Sequence, residues 1–199
     1  MITVEFADDF GPEAAEELAA MIANAAAYDE EAGFSTVSPS RERTDDGEVA
    51  IFQMTARLTP GMHGSVDTPL VAFLRLDVDR GGAAIAQMIV HPDYRSLGVG
   101  TLMLEKLSEL DGPGFAGTGA VTITTWAHGS HPAADRMARR FAAQENHSRW
   151  KLMRGDEVRY VDPNDESAVF AARRDGFVHE HTDVRYVWRV PVPSARTPA

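Results

Sequence analysis

Hydrophobic positions in the first thirty residues repeat with the period of a strand and then with that of a helix. Ile2–Phe6 alternates apolar and polar residues, which predicts a first strand. Gly11-Pro12 then opens a segment with proline in its first turn, as helices often begin. Apolar residues follow at helical spacing and would form one buried face: Leu18, Met21, Ile22 and Ala25.

The middle of the chain is dominated by strand-like patterns. Val49–Leu58 and Leu70–Val78 are rich in residues that suit a half-buried sheet. Ala83–Val90 is mostly apolar, as is typical of a central strand covered on both faces. Thr101–Leu110 has apolar residues on one side and charges on the other, which predicts an amphipathic helix, and Val121–Trp126 is a β-branched strand.

The last third predicts two more helices and two more strands. In chain order they are a helix over Asp135–Gln144, a strand over Trp150–Met153, a helix over Pro163–Arg174 capped at Asn164, and a closing strand over Val184–Val192. The order of helices and strands along the whole chain predicts an α/β (α+β) fold with a mixed sheet.

Composition narrows the classes of function. With 199 residues, 44% of them hydrophobic, the chain suits one domain with a proper core. A net charge of −11 argues against nucleic acid as a partner, because phosphate backbones need clustered Lys and Arg. The absence of cysteine excludes disulfides, thiolate metal sites and a cysteine nucleophile. Neither a signal peptide nor an apolar run of membrane-spanning length is recognisable, so we expect a cytoplasmic protein without a membrane partner.

One stretch carries candidate chemistry, the segment His91–Leu104 with the sequence HPDYRSLGVGTLML. Two glycines stand one residue apart where a helix is about to start, and Arg95 stands at the rim. Backbone N–H groups at a helix start, with the positive end of its dipole, suit an anion, and glycines let that anion come close. The alternative is a glycine-capped turn with a surface arginine. A P-loop is excluded, since no lysine follows Gly100.

The stretch QMIVHPDYRSLGVGTLML resembles the signature of the GNAT N-acetyltransferase superfamily, in which a strand, the pattern [QR]-x-x-G-x-[GA] and a helix follow one another. The resemblance implies a mixed, mostly antiparallel twisted sheet flanked by helices on both faces. It also implies acetyl-CoA as co-substrate, with its pyrophosphate on the loop and the amide of Val90 as donor to the thioester oxygen. The implied binding residues are Met88, Ile89, Val90, Arg95, Ser96, Leu97, Gly98, Val99, Gly100 and Thr101.

A second stretch, ITTWAHGSHPAADRMARRF followed by SRWKLMR, resembles mycothiol synthases, which have two tandem GNAT domains. The resemblance is good over residues 80–155. We therefore expect a single GNAT-like domain over residues 1–192 and a mobile tail over 193–199. Residues 155–192 are interpreted as its last helix and strand, although a remnant of a second domain would show a similar pattern.

Candidates for catalysis are weak. Glu48, Asp77 and Asp79 lie in or beside the strands that would border the acceptor and are candidate bases, but for each the interpretation as a solvated charge at a strand end is favoured. The superfamily's common acid is a tyrosine just before a Gly-Phe pair. No tyrosine precedes Gly176-Phe177 at the corresponding place.

Histidines and one tryptophan have structural interpretations. His128 and His131 have a spacing that suits a metal, but without cysteine or a nearby pair of carboxylates a capping and packing turn is favoured, and no metal is predicted. The residues of His179–His181 are interpreted as surface, and Trp126 as core packing.

The resemblance implies an acetyl-CoA-dependent N-acetyltransferase that acts on a small-molecule or protein amine. The alternative is a catalytically weak or inactive GNAT-fold module that binds acyl-CoA or serves as a binding or structural partner. Edge strands, including the closing strand, offer a route to a homodimer.

Overall fold

A computed structural model of the chain describes residues 1–7, 10–31, 50–59, 68–111 and 114–191. It contains four helices and eight strands within these ranges, and contacts between residues divide the chain into two compact units. The first unit holds β1 (Ile2–Phe6), β2 (Ala50–Leu58), β3 (Leu70–Val78), β4 (Ala83–Val90), α2 (Val99–Ser108) and most of α1 (Pro12–Glu31). The second holds α3 (Pro132–Arg140), β6 (Gln144–Arg154), β7 (Glu157–Val161), α4 (Glu166–Arg174) and nearly all of β8 (Val178–Arg189), while β5 (Thr122–Ala127) begins in the first unit and ends in the second.

In the first unit β1, β2, β3 and β4 are antiparallel neighbours in chain order, and β5 joins β4 in parallel. The strands are buried because helices cover them. Met21 and Ala25 of α1 pack against Phe73 and Ile89, which lie opposite each other on β3 and β4. Side chains on the other face of β3, including Leu74, are fully buried, and α2 contacts all four antiparallel strands.

In the second unit β8, β6 and β7 form an antiparallel sheet in that order. One face of it is covered by helices: Val184 and Tyr186 pack with Ala138 of α3, and Leu152 packs with Ala172 of α4. Because side chains alternate along a strand, Asp183 and Arg185 lie on the opposite face.

The α/β fold with an antiparallel-dominated sheet and flanking helices is confirmed. The largest differences lie after residue 130, where α3 ends at Arg140, β6 begins at Gln144, and the strand β7 was not predicted at all. The cap of α4 is Asp165, whose carboxylate accepts from the amide of Ala168, and not Asn164. Exposed charged residues along β6 and β7 interrupt the alternation of apolar and polar positions by which a strand is recognised. The two strands are therefore identified from their pairing with each other and not from their sequences.

Candidate functional site

The loop after β4 is held at its start by local hydrogen bonds. Residues Pro92–Tyr94 form a single 3-10 turn. The ring of His91 accepts from the amide of Asp93 at 3.3 Å, and the amide of Arg95 donates to the carbonyl of Pro92 at 3.2 Å. These two hydrogen bonds fix the backbone between His91 and Arg95, a segment of polar and turn-forming residues.

Two residues of this loop have the left-handed backbone conformation. The φ angle is 63° at Ser96 and 83° at Gly98, and Gly98 is the cap residue that precedes α2. A Cβ atom added at Gly98 would meet no atom within 4 Å. Glycine therefore relieves backbone strain at this position, and the space above it is open.

The first turn of α2 offers backbone donors on the same loop. The first intrahelical bond runs from the amide of Leu102 to the carbonyl of Gly98 at 2.9 Å. The amides of Val99, Gly100 and Thr101 precede that bond and have no partner within the helix. No acidic residue stands in this turn, and Leu97 beside it is 65% exposed. An anion would meet N–H groups and the positive end of the helix dipole here.

The backbone of β4 supplies a further donor. The amide of His91 donates to Val71, and that of Asp79 donates to Ala83, so the odd-numbered residues of β4 are those bonded to β3. Because bonding alternates along an antiparallel strand, the N–H and C=O groups of Met88 and Val90 point to the other edge. The register of β4 with β5 runs only from Ala83–Thr122 to Ile85–Thr124, so these groups lie beyond it.

The side chain of Arg95 takes part in this edge. Its Nε atom donates to the carbonyl of Val90 at 3.1 Å, and the residue is only partly exposed. One guanidinium nitrogen of Arg95 therefore fastens the loop to the end of β4, and the role of Arg95 in binding an anion stays a prediction. The contact brings the loop and the predicted oxyanion donor together within one unit.

The predicted bases have structural partners where they are described. The Nε atom of Arg75 lies 2.8 and 3.1 Å from the two carboxylate oxygens of Asp77. One oxygen of Asp79 accepts from the amides of Gly81 and Ala83, both at 2.8 Å, and so closes the turn between β3 and β4. Glu48 lies outside the described residues. The role of these carboxylates in catalysis stays a prediction.

In the second unit, a polar cluster surrounds the carboxylate of Asp183, which has no exposed surface. Three donors reach it: the Arg149 Nε atom at 3.0 Å, the Gly129 amide at 3.1 Å and the His128 Nδ1 atom at 3.3 Å. Burial by itself would raise the pKa of Asp183, but these hydrogen bonds and the charge of the His128 ring lower it to about 2. Asp183 is therefore ionised at neutral pH.

The guanidinium of Arg149 is held between two aromatic rings. It lies 4.2 Å from the ring centroid of Trp126 and 4.3 Å from that of Tyr160. Trp126 is only half-buried, so its interpretation as core packing is wrong, since its ring is a stacking surface for arginine. The two contacts fix the cation that neutralises Asp183.

The remaining histidines divide into capping and buried roles. The ring of His131 accepts from the amide of Ala133 at 3.1 Å and caps α3, as the sequence predicted. His181 is 9% exposed, so its interpretation as surface is wrong. It lies on the Asp183 face of β8, opposite Lys151 of β6, and its Nε2 atom has no hydrogen-bond partner among the described residues.

Sequence reasoning missed Asp183 and Arg149 as a pair. The available signal was the alternation of polar residues at 181, 183 and 185, which matches polar residues at 147, 149 and 151. Without the register between β8 and β6, nothing indicates that these two polar rows face each other. Among the described residues no group of three or more His, Asp or Glu is arranged to hold a metal ion. Nor does any described helix have the length and apolar character to span a membrane.

Comparison with known proteins agrees with this arrangement. A family model described as the acetyltransferase (GNAT) family matches residues 27–141, more than half of the chain. Solved structures share the fold: the ribosomal-protein-S18-alanine N-acetyltransferase from Escherichia coli superposes with a TM-score of 0.57 at 16% identity, over 100% of both chains. An acetyltransferase of GNAT family from Streptococcus pneumoniae gives a TM-score of 0.58 at 10% identity, covering 96% of this chain and 100% of that one.

Curated relatives resemble the chain more closely in sequence but over part of their length. The mycothiol acetyltransferase of Saccharomonospora viridis is 33% identical over 125 residues, which is 54% of this chain and 38% of the relative. That of Clavibacter sepedonicus is 37% identical over 108 residues, or 49% and 32%. Each match spans only about a third of the relative's length.

Proposed function

Because the chain belongs to the GNAT family of acetyltransferases, we propose that it transfers the acetyl group of acetyl-CoA to the nitrogen of a small-molecule or protein amine. The observation that carries the proposal is the loop from Arg95 to Thr101. Its left-handed Ser96 and Gly98 leave the first amides of α2 open to an anion, and the pyrophosphate of acetyl-CoA is an anion of suitable size.

The reaction needs a donor for the oxyanion that forms when an amine attacks the thioester. The amide of Val90 points to the edge of β4 that faces away from β3, and the Nε atom of Arg95 donates to the carbonyl of the same residue. A backbone donor of this kind is fixed before the reaction starts, which is why such groups stabilise a developing charge well. Met88 would lie along the acyl arm, because its backbone groups point to the same edge as those of Val90, whereas the backbone of Ile89 is bonded to β3.

Binding is tested by thermal unfolding with acetyl-CoA. A ligand at a hundred times its dissociation constant stabilises the folded state by about 2.7 kcal/mol, which raises the melting temperature measurably. Arg95→Ala should reduce that stabilisation and make it less sensitive to salt, because a charged contact is lost. If the variant responds to acetyl-CoA as the wild type does, Arg95 does not contact the phosphates.

Activity is tested by release of free thiol from acetyl-CoA with a panel of amines that includes an amino sugar and a peptide with a free N-terminus. Thiol release that requires an amine, with an N-acetylated product detected by mass, supports the proposal. A thermal shift without any turnover contradicts transfer and leaves only binding.

A second function has a specific observation in its favour. Asp77 and Asp79 are engaged in an ion pair and a turn, and no tyrosine stands just before Gly176-Phe177, where the superfamily's common acid is expected. These features fit a module that binds acyl-CoA without turning it over. The same thiol-release assay separates this alternative from the transferase.

A further inference from the structure

Two arginines on β6 and β8 of the second unit use only part of their guanidinium groups within the protein. The Nε atom of Arg149 donates to Asp183 at 3.0 Å, and that of Arg185 donates to the side-chain oxygen of Asn146 at 3.0 Å. The Nη1 and Nη2 atoms of both arginines form no hydrogen bond with any described residue. Each guanidinium therefore retains the pair of terminal N–H groups with which arginine binds an oxyanion in bidentate fashion.

The ring of Trp126 brings the two guanidinium groups close to each other. Its centroid lies 4.2 Å from the guanidinium carbon of Arg149 and 5.7 Å from that of Arg185. Arg149 is directly opposite Asp183 on the paired strands, so Arg185, two residues further along β8, is its diagonal neighbour on the same face of the sheet. The side chain of Arg149 is 25% exposed, and Arg185 and Trp126 are also partly exposed. Solvent therefore reaches all three residues.

Arg149 is already held in one orientation. Its guanidinium lies between the rings of Trp126 and Tyr160, and its Nε atom is bound to the fully buried Asp183. A free surface arginine loses side-chain entropy when it binds an anion, but here the folding of the chain has already fixed the group. The two rings cover the flat faces of the guanidinium, so its edge with the Nη atoms is the part that a ligand would meet.

The charges of this region leave one cation without a partner. Asp183 compensates Arg149, whereas Arg185 forms no ion pair with a described residue. An anion would therefore be attracted to Arg185 and would meet the Nη atoms of Arg149 beside it. The charged groups that border these residues are paired with each other: Lys151 with Glu180 at 2.9 Å, and Asp162 with the ring of His147 at 3.9 Å.

We propose that Arg149, Arg185 and Trp126 form a binding site for an oxyanion, the carboxylate or phosphate group of a small molecule. The Nη atoms of the two arginines would donate to its oxygens. The indole N–H of Trp126 is a further donor, because it forms no hydrogen bond with a described residue. All three residues belong to the second unit, and none belongs to the glycine loop, so the inference does not rest on the proposed function.

Indole NMR signals test the site directly. The chain has three tryptophans, and Trp150 and Trp188 lie on the opposite face of the sheet, among the residues that pack against α4 and α3. Succinate or inorganic phosphate, added at constant ionic strength in place of sodium chloride, should move the ¹H–¹⁵N indole signal of Trp126 along a saturation curve. The signals of Trp150 and Trp188 should stay in place. The Trp126 signal is identified as the one that Trp126→Phe removes.

The two anions distinguish the sources of the oxyanion. Saturation by succinate alone indicates a carboxylate ligand, and saturation by phosphate alone indicates a phosphate ligand. Saturation by both supports a general oxyanion site. A Trp126 signal that responds to neither anion, or that moves together with those of the other two tryptophans, overturns the proposal and leaves the proposed function standing.

Arg185→Gln is the decisive variant. Glutamine can still donate to Asn146 but carries no charge, so the fold should be kept and the Kd for the anion should rise about 10-fold or more, as expected for the loss of a charged hydrogen bond. Arg139→Gln is the matched control, because it removes an exposed charge from α3 and should leave the Kd unchanged. An equal rise in both variants, or an unchanged Kd in Arg185→Gln, overturns the proposal.

Arg149→Lys tests the guanidinium itself. Lysine keeps a positive charge beside Asp183 but lacks the planar pair of N–H groups, so the Kd should again rise about 10-fold. Its melting temperature and circular dichroism spectrum are compared with those of the wild type first. A folded Arg149→Lys with wild-type Kd contradicts the site, and if this variant does not fold, Arg185→Gln decides the question by itself.

Discussion

The Nε atom of Arg149 donates a 3.0 Å hydrogen bond to Asp183, a carboxylate with no exposed surface. The two residues are directly opposite each other on β6 and β8. Since Arg149 is also stacked against Trp126 and Tyr160, its position is determined by packing as well as charge. The pair therefore links two strands of the second unit through a buried charge and an aromatic surface.

Removal of the Asp183 carboxylate should lower the stability of the folded protein. Asp183→Ala leaves Arg149 without its counterion and the Gly129 amide without its acceptor, so we expect the free energy of unfolding to fall by about 3 kcal/mol. Urea denaturation followed by circular dichroism measures it. Asp156→Ala, at an exposed turn position, is the control and should change stability by less than about 0.5 kcal/mol. Equal effects of the two substitutions would show that the buried pair does not stabilise the fold.

Acid should lower the free energy of unfolding because it protonates the carboxylate of Asp183. The folded pKa of Asp183 is about 2, below its ordinary value of 3.8, so its contribution to stability is present above pH 4 and is lost as the pH falls from about 4 to 2. The shift corresponds to about 2 kcal/mol. The free energy of unfolding, measured by urea titration at several pH values, should fall less steeply over this window in Asp183→Asn than in the wild type. Equal slopes in the two proteins would show that Asp183 does not cause the loss of stability between pH 4 and 2.

His181 should make stability depend on pH in a higher range. Burial lowers its folded pKa below 6.5, so the unfolded chain binds the proton more readily and stability decreases as the pH falls below about 6.5. One such group changes the free energy of unfolding by at most about 1.4 kcal/mol per pH unit. His181→Phe should flatten the dependence between pH 7 and 5. Because the Nε2 atom has no hydrogen-bond partner among the described residues, the substitution should cost little at pH 8. An unchanged slope would mean that His181 does not carry the effect.

Alanine substitutions at two left-handed glycines, Gly98 and Gly155, can separate the effect of backbone strain on stability from an effect on acetyl-CoA binding. Gly98 and Gly155 have φ angles of 83° and 59°, and an added Cβ would meet nothing within 4 Å at either. Gly98→Ala and Gly155→Ala should each lose about 1 kcal/mol of stability from left-handed strain. Only Gly98→Ala should also weaken the thermal shift by acetyl-CoA, since the methyl group would occupy the space above the loop amides. Equal thermal shifts in both variants would place the ligand elsewhere.

The sequence determined the elements whose pattern is local. The strands over Leu70–Val78 and Ala83–Val90 and the glycine turn are where their residues predict, because side-chain period and glycine conformation act within a few residues of chain. The helix after the turn was also predicted, although it begins and ends two residues earlier than expected, at Val99 and Ser108. The resemblance to the GNAT family rests on the same segment, because the end of β4, the loop after it and the start of α2 carry the motif. Residues 155–192 as the end of one domain remain a prediction.

The tertiary structure decided what depends on pairing between distant segments. Arg149 and Asp183 are 34 residues apart, and only the register of β6 with β8 makes them partners. The same holds for His128 and Asp183, 55 residues apart. The low pKa of Asp183 and the lowered pKa of His181 both result from burial and from charged and hydrogen-bonding groups that the tertiary structure brings together. A single strand pattern cannot show these interactions, because it specifies which residues share a face but not which charges that face will meet.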